Sequence, residues 1–160
     1  MNPVHELALE RAVEVSGDER VLDLDSFDGR RLPHEDGSYD AVISVGALGP
    51  WFEDPAVVQT GLTEIARVLR PGGRAWLIEP AGPAGEDAWT LERWGKAMSG
   101  ARLGMRASIA LRGRRPTPMG WLASRGSLGA NAAAAAELAY NRRRGVRGPY
   151  TECLLEAVRL

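Results

Sequence analysis

The chain has 160 residues, of which 44% are hydrophobic, and this is enough for one domain with a real core. Its formal net charge is -1, so bulk charge gives no reason to expect nucleic acid or an anionic membrane as a partner. We therefore expect a single domain over residues 1–160.

The cysteine count and the apolar segments indicate the cellular compartment of the protein. Cys153 is the single cysteine, so the chain cannot form an internal disulfide or a cysteine zinc site, which fits a reducing compartment. The first residues include acidic side chains, and no run of about 18 apolar residues occurs. The sequence predicts a soluble, cytoplasmic protein without a signal peptide.

The first half of the chain alternates helix and strand. Residues 4–15 have near-helical apolar spacing and end at Ser16-Gly17-Asp18, which predicts a helix. The segment RVLDLD, residues 20–25, alternates apolar and charged residues and predicts a strand. A second strand is predicted at YDAVISV, residues 39–45, after a turn at residues 36–38.

The next helix has both of its ends marked in the sequence. Asp54 is a candidate N-cap, Pro55 suits the first turn, and Pro71-Gly72-Gly73 is expected to stop the helix. Its apolar stripe consists of Val58, Leu62, Ile65 and Leu69. A third strand is predicted at residues 74–78, and strand, helix and strand in this order indicate a right-handed crossover within a parallel sheet.

The second half is less regular. We predict helices over residues 86–98 and 131–144, and a closing strand over residues 151–160, while residues 101–118 show no clear period and stay unassigned. Arg142-Arg143-Arg144 could hold a phosphate, but favourable interaction with the C-terminus of the second helix explains the cluster without a ligand. The fold class predicted from these elements is α/β.

The stretch LPHEDGSYDAVISVGALGPWFEDPAVVQTGLTEIARVLRPGGRAWLIEP, residues 32–80, resembles the middle of the class I S-adenosylmethionine-dependent methyltransferases. Several ordered segments match at the right spacing. They are Asp-Gly-Ser-aromatic-Asp before a strand, Glu-Ile-x-Arg-Val-Leu-Arg-Pro-Gly-Gly at the end of the following helix, and Glu-Pro at the end of the next strand. The resemblance implies a Rossmann-like sheet and S-adenosylmethionine as the cofactor of the parent family.

Upstream, GDERVLDLDSFDGR resembles the family's first strand and its glycine-rich cofactor loop, but the loop is altered. Asp25 and Phe27 stand where the first two glycines are expected, and only Gly29 remains in register. Side chains at these positions fill the space where the backbone approaches the cofactor, and Asp25 would repel its carboxylate. In an alternative alignment Asp28 is the acidic residue that precedes Leu-Pro in the family.

By the same resemblance, family members have about sixty residues between this loop and the segment that begins here at residue 32, and this chain lacks them. They carry two strands and the acidic residue that binds the cofactor ribose. The family strand order is 3-2-1-4-5-7-6, so their loss leaves strands 1-4-5 and the C-terminal strand as a shortened sheet. Strand 1 then lies at an open edge, which predicts a homodimer or an obligate heteromer formed through that edge.

Candidate catalytic residues are expected where the parallel strands end. Asp25, Asp28 and Glu79 are predicted at this rim together with Gly46 and Trp51. Paired carboxylates could act as a general base and as a counter-ion for an amine, with Trp51 as an aromatic wall. The alternative is that they are solvated turn acids beside a structural tryptophan.

Three other side chains complete the candidate set. His34 lies in the loop that leads into the second strand and is the better acid/base candidate of the two histidines, unless it only packs. Trp89 and Trp94 lie on one face of a predicted helix and either belong to the core or shape an apolar substrate site. His34 and His5 are too far apart in sequence to suggest a metal site.

Three functions remain open at this point. The first is a non-methylating, methyltransferase-like subunit that cyclises, eliminates or rearranges a small molecule in bacterial secondary metabolism, without a cofactor. The second is an S-adenosylmethionine-dependent methyltransferase completed by a partner chain, in which Asp23, Asp28 and Gly29 would bind the cofactor. The third is a non-catalytic scaffold that activates a partner enzyme.

Overall fold

A computed structural model describes residues 3–13, 15–81, 89–113, 132, 134–136, 138–140 and 150–160. The helices are α1 (Pro3–Ala12), α2 (Pro55–Val68) and α3 (Leu91–Gly100), with a short 3-10 turn at Gly49–Trp51. The strands are β1 (Val21–Leu24), β2 (Tyr39–Val45), β3 (Leu69–Pro80), β4 (Leu103–Gly113) and β5 (Tyr150–Arg159). The described residues between 132 and 140 are also helical.

The five strands form one sheet in the order β1-β2-β3-β5-β4. The neighbours β1, β2 and β3 are parallel, whereas β5 is antiparallel to both β3 and β4. The predicted α/β class is confirmed, and β1 lies at the sheet edge, as expected for a sheet reduced to family strands 1-4-5 and one C-terminal strand. The structure adds β4 to this set as a fifth strand. The segment left unassigned by the sequence contains β4.

Helix α2 forms for the reasons that its sequence suggests. The Asp54 side chain accepts hydrogen bonds from the amides of Ala56 and Val57 in the first turn of the helix. Val58, Leu62 and Ile65 are fully buried against the sheet. The predicted end of the helix is wrong by a few residues, because Leu69 and the Pro71-Gly72-Gly73 turn already belong to β3.

The connection from β1 to β2, residues 25–38, runs beside α2 without a helix or a strand of its own. Gly29 of this connection lies near Val57 of α2. Further along, the Leu32 amide donates to the Glu64 side chain, and the Gly37 amide donates to the Arg67 carbonyl. The chain therefore returns from the C-terminal end of β1 to the start of β2 along the length of α2. This irregular segment stands where the family inserts two strands.

Two apolar clusters cover the two faces of the sheet. The face toward α2 and α3 includes Leu24, Val42, Leu77 and Leu155, and the opposite face packs α1 and the helical residues 134 and 138 against Trp76 and Ile78. Successive residues of a strand point to opposite faces of the sheet, so they pack into opposite clusters. Side chains at equivalent positions of neighbouring strands therefore share a face.

The remaining predicted elements are only partly described. Helix α3 begins at Leu91 behind the N-cap Thr90, and residues 82–88, the start of the helix predicted from residue 86, lie outside the described residues. Asn131 and Arg142–Arg144 lie outside them as well. The closing strand is confirmed as β5, and no helix within the described ranges is long and apolar enough to cross a membrane.

Candidate functional site

The C-terminal ends of β1, β2 and β3 meet at one rim of the sheet. Asp25 follows β1, Gly46 follows β2, and Glu79 is the penultimate residue of β3. The 3-10 turn at Gly49–Trp51 lies over this rim, because the amide of Leu48, just before it, donates to Glu79 Oε1 at 3.1 Å. The structure thus brings Glu79, Gly46 and Trp51 to the expected end of the sheet.

Glu79 is fully buried and lies in apolar surroundings. Burial raises the pKa of its carboxyl group to about 8, although the nearby backbone amides of Leu48 and Gly49 act in the opposite direction. Its Oε2 atom has no hydrogen-bond partner among the described residues. A carboxyl group in this state is mostly neutral at pH 7 and can donate a hydrogen bond.

The aromatic residues near the rim are packed rather than open. Trp94 is fully buried and its indole N–H donates to the Pro80 carbonyl, while Trp89 donates to the Phe52 carbonyl. The ring centroids of Trp89 and Trp94 are 4.7 Å apart, and both rings contact Phe52. These contacts favour the core interpretation of the two tryptophans, which form an apolar layer beside Glu79.

The loop after β1 has the geometry of a packed connection. Phe27 is buried against Gly61 of α2, and its carbonyl accepts a hydrogen bond from the Trp51 indole at 2.8 Å. Asp28 Oδ1 accepts from the Arg30 amide, which closes a local turn around Gly29. Gly29 has a φ of 82°, and an added Cβ would come 3.4 Å from Val57.

These positions do not fit S-adenosylmethionine bound as the family loop binds it. The space that the second loop glycine would leave open is occupied by the buried Phe27 ring and not by a ligand cavity. Asp25 is exposed, and Asp23 lies on the sheet face opposite to the buried Leu22 and Leu24. The three predicted cofactor residues, Asp23, Asp28 and Gly29, therefore do not converge on one side of the sheet.

His34 lies at the other end of the sheet from Glu79. Its Nδ1 atom is 3.2 Å from the Tyr39 hydroxyl, and the two rings meet edge to face. Tyr39 begins β2, so His34 is separated from the rim by the length of that strand, roughly 20 Å. The structure does not bring His34 together with Glu79, and this position favours the packing role.

An ion-pair cluster beside His34 was missed by sequence reasoning. Arg67 makes a two-point contact with the carboxylate of Glu64, at 2.8 and 2.7 Å, and also donates to the carbonyls of Leu32 and His34 and to Asp36. The Arg67 guanidinium lowers the pKa of Glu64. The signal in the sequence was the glutamate and arginine three residues apart on a helix face that is otherwise buried.

Metal binding finds no support in the described residues. His5 is paired with Glu152 at 3.1 Å, far along the chain from His34. No three side chains of histidine, cysteine, aspartate or glutamate cluster as ligands within the ranges that the structure describes.

Comparison with known proteins gives one family match. A family model described as a methyltransferase domain matches residues 4–77. A search of curated proteins found no match. The matched residues include β1, the connection, β2, α2 and most of β3.

Solved structures match over nearly the whole chain at low identity. An S-adenosylmethionine-dependent methyltransferase from Mesorhizobium loti matches with a TM-score of 0.61 and 14% identity, over 98% of each chain. A chain of the Haloferax volcanii complex between the Trm112 methyltransferase activator and a methyltransferase has a TM-score of 0.62 and 16% identity, over 98% of this chain and 88% of that one. The [4+2]-cyclase SpnF has a TM-score of 0.53 and 18% identity, over 98% of this chain and 60% of its own.

Proposed function

We propose that this chain, which has the class I methyltransferase fold and matches the methyltransferase domain over residues 4–77, does not transfer methyl groups and instead promotes another reaction of a small molecule. The observation that carries the proposal is the buried Phe27 in the altered loop after β1. The class of reaction is cyclisation, elimination or rearrangement, and the setting is bacterial secondary metabolism.

The packing of the loop supports the loss of S-adenosylmethionine binding. Phe27 and Leu48 both lie against Gly61, so moving the ring out would open a cavity in the core beside α2. The connection over residues 25–38 also has no strand that could present an acidic residue to a ribose. Restoring the family's cofactor mode would therefore require both a repacked core and a further segment.

The chemistry available at the rim supports the second half of the proposal. Glu79 combines a fully buried carboxyl group with neighbouring tryptophans, which is an environment suited to holding a proton near an apolar substrate. Asp25 and Asp28 remain candidates for solvent-side contacts with that substrate. The similarity of the fold to a [4+2]-cyclase is consistent with chemistry other than methyl transfer on this scaffold.

The second candidate is a methyltransferase completed by a partner chain. The observation that favours it is the position of β1 at the open edge of the sheet, where the family has two more strands. The Haloferax volcanii structure contains an activator bound to a methyltransferase of this fold. A partner strand on β1 would have to supply the ribose contact, with S-adenosylmethionine then reaching Asp23 or Asp28.

Calorimetric titration with S-adenosylmethionine and with S-adenosylhomocysteine separates the two candidates. The purified chain, alone and with any chain that copurifies, is titrated in parallel with an active methyltransferase of the same fold as the positive control. We expect no heat of binding from this chain in either preparation. Micromolar binding by the chain alone would overturn the proposal, and binding only in the presence of a partner would establish the second candidate.

A scaffold without catalysis is tested by a separate experiment. Replacing Asp25, Asp28 and Glu79 with alanine removes the rim carboxyl groups, and His34→Ala provides a matched change at the opposite end of the sheet. We expect the rim variants to lose the activity of the complex and His34→Ala to keep it. A complex that tolerates all four changes would act through this chain as a scaffold.

A further inference from the structure

Two buried polar atoms on the α2 face of the sheet have no hydrogen-bond partner within the described ranges. One is the hydroxyl oxygen of Ser44 and the other is Oε2 of Glu79, and both residues are fully buried. Leaving such groups unpaired costs about 1–3 kcal/mol each. Two of them close together indicate a place where a ligand or a water supplies the missing partner.

The strand register places the two residues at diagonal positions on one face of the sheet. Ser44 of β2 pairs with Leu77 of β3, so Glu79, two residues further, is its diagonal neighbour on the same face. Diagonal neighbours have Cα atoms about 7–8 Å apart. Because the serine and glutamate side chains extend from the same face, a single acceptor oxygen between them is within hydrogen-bond reach of both. Leu48, whose amide binds Oε1 of Glu79, covers this position from the rim.

The electrostatic surroundings indicate which kind of ligand fits. The facing titratable side chain on β5 is Cys153, which pairs directly with Glu79, and burial together with Glu152 raises the pKa of its thiol to about 12. Phe27, Leu48 and Trp94 contribute apolar surface from the loop, the rim and α3. Asp25 and Asp28 of the loop are exposed, as is Lys96 of α3, and the Arg93 guanidinium lies 4.4 Å from the centroid of the Trp89 ring. No charged side chain of the described residues therefore contributes to the electrostatic state of Glu79.

We propose that Ser44 and Glu79 together bind the carbonyl oxygen of an otherwise apolar small molecule, with both side chains acting as hydrogen-bond donors. Because Oε1 accepts the Leu48 amide, the proton of the neutral carboxyl group lies on Oε2, the unpaired atom. The two hydrogen bonds polarise the carbonyl group and prepare it for reaction. The inference rests on the proposed function for the location of the substrate at this rim.

Ligand entry requires the covering segment to move, since Glu79 is 0% exposed. The segment from Gly46 to Trp51 begins at a glycine with a φ of 71°, next to which no heavy atom lies within 4 Å of an added Cβ. The Leu48 amide of this segment donates to Glu79 Oε1, and the Gly49 amide also lies near the carboxyl group. The Leu48 amide is therefore a local reporter of ligand binding.

The test is a titration of the intact chain with cyclohexanone and camphor, followed by the amide resonances of Leu48 and Gly49. Cyclohexylamine, which has the same ring but carries a cation, is the matched control probe. We expect saturable shifts with the ketones only. The dissociation constant should rise as the pH passes about 8, because an ionised Glu79 can no longer donate.

Two variants separate a binding role from a structural one. Glu79→Gln keeps a donor and an acceptor of similar shape, so ketone binding should persist but lose its pH dependence. Ser44→Ala removes an unpaired hydroxyl and should fold normally, yet bind the ketones about five- to tenfold more weakly. Unchanged thermal unfolding of both variants confirms that the fold is intact.

Three outcomes would overturn the inference. They are the absence of saturable shifts up to the solubility of the ketones, a preference for cyclohexylamine, and ketone binding that neither variant alters, which would indicate a structural water only. The proposed function fails separately, by binding of S-adenosylmethionine in the calorimetric titration. The two failures are thus distinguishable.

Discussion

Glu64 and Glu79 are two buried carboxyl groups whose surroundings shift their pKa values in opposite directions. Glu64 accepts two hydrogen bonds from Arg67 and one from the Leu32 amide, which lowers its pKa. Glu79 accepts a hydrogen bond from the Leu48 amide at Oε1, and burial raises its pKa against the opposing effect of the Leu48 and Gly49 amides. The first carboxylate is a structural anchor, whereas the second keeps hydrogen-bonding capacity for a ligand.

Arg67→Lys tests how strongly the structural anchor holds the connection over residues 25–38. Lysine cannot reproduce the two-point contact with Glu64 or reach the carbonyls of Leu32 and His34, so buried polar groups lose partners. We expect the free energy of unfolding to fall by about 2–3 kcal/mol, measured by urea denaturation.

Arg70→Lys is the matched control, at the second residue of β3, directly after the same helix. The Arg70 side chain is 56% exposed in its pair with Asp40, compared with 15% for Arg67, so its replacement should cost below about 1 kcal/mol. Equal and small losses in the two variants would contradict the anchoring role of Arg67.

At the scale of elements, the contact between α2 and the loop after β1 depends on Gly61. A Cβ at this position would lie 2.5 Å from Leu48 and 3.2 Å from the Phe27 ring, so alanine must displace two buried side chains. Gly95 of α3 has its nearest neighbour, the Met105 terminal carbon, at 3.5 Å, which is an ordinary contact.

The pair Gly61→Ala and Gly95→Ala therefore separates helix propensity from packing. Gly95→Ala should stabilise the protein by about 0.5–1 kcal/mol because alanine favours the helix. Gly61→Ala gains the same propensity but strains the core, and we expect it to destabilise by about 1–2 kcal/mol in thermal unfolding. Similar stabilisation by both changes would show that the packing of Phe27 and Leu48 beside α2 is loose.

The elements that the sequence predicts well are those with local causes. The cap at Asp54 and the apolar periodicity define α2, and the apolar run of residues 39–45 defines β2. Strand β4 was not assigned, because its pattern is interrupted by Arg106 and Arg112 and its pairing with β5 depends on residues about fifty positions away. Long-range pairing of this kind leaves no signal in a short window.

The candidate site was predictable in part for the same reason. Glu79 and Trp51 follow from the rule that ligands bind where parallel strands end. His34 is a candidate because of its acid/base chemistry, but it lies in the loop before β2, at the start of that strand and away from the rim. Ser44 was overlooked because a single serine in an apolar strand becomes informative only when its missing partner is seen.

At the scale of the whole molecule, the sheet has β4 at one edge and β1 at the other. The Arg20 carbonyl accepts from the amides of Asp40 and Ala41, so the backbone groups of Val21 and Asp23, which alternate with it, point away from β2. The exposed backbone of a parallel edge strand is a template for a further strand. We expect two copies of this chain to pair through it when no other partner is present.

Asp23→Pro tests this pairing without disturbing the sheet. Proline removes an amide that does not pair with β2 and is tolerated on an edge strand, so the monomer fold should persist, with an unchanged far-ultraviolet spectrum. Light scattering coupled to size exclusion should show a dimer for the natural chain and a monomer for Asp23→Pro. Asp23→Ala, which keeps the amide but loses the same charge, should remain dimeric because strand addition depends on the backbone. If the natural chain and Asp23→Pro have the same mass, copies of the chain do not pair through β1, and the open edge is left to a different partner.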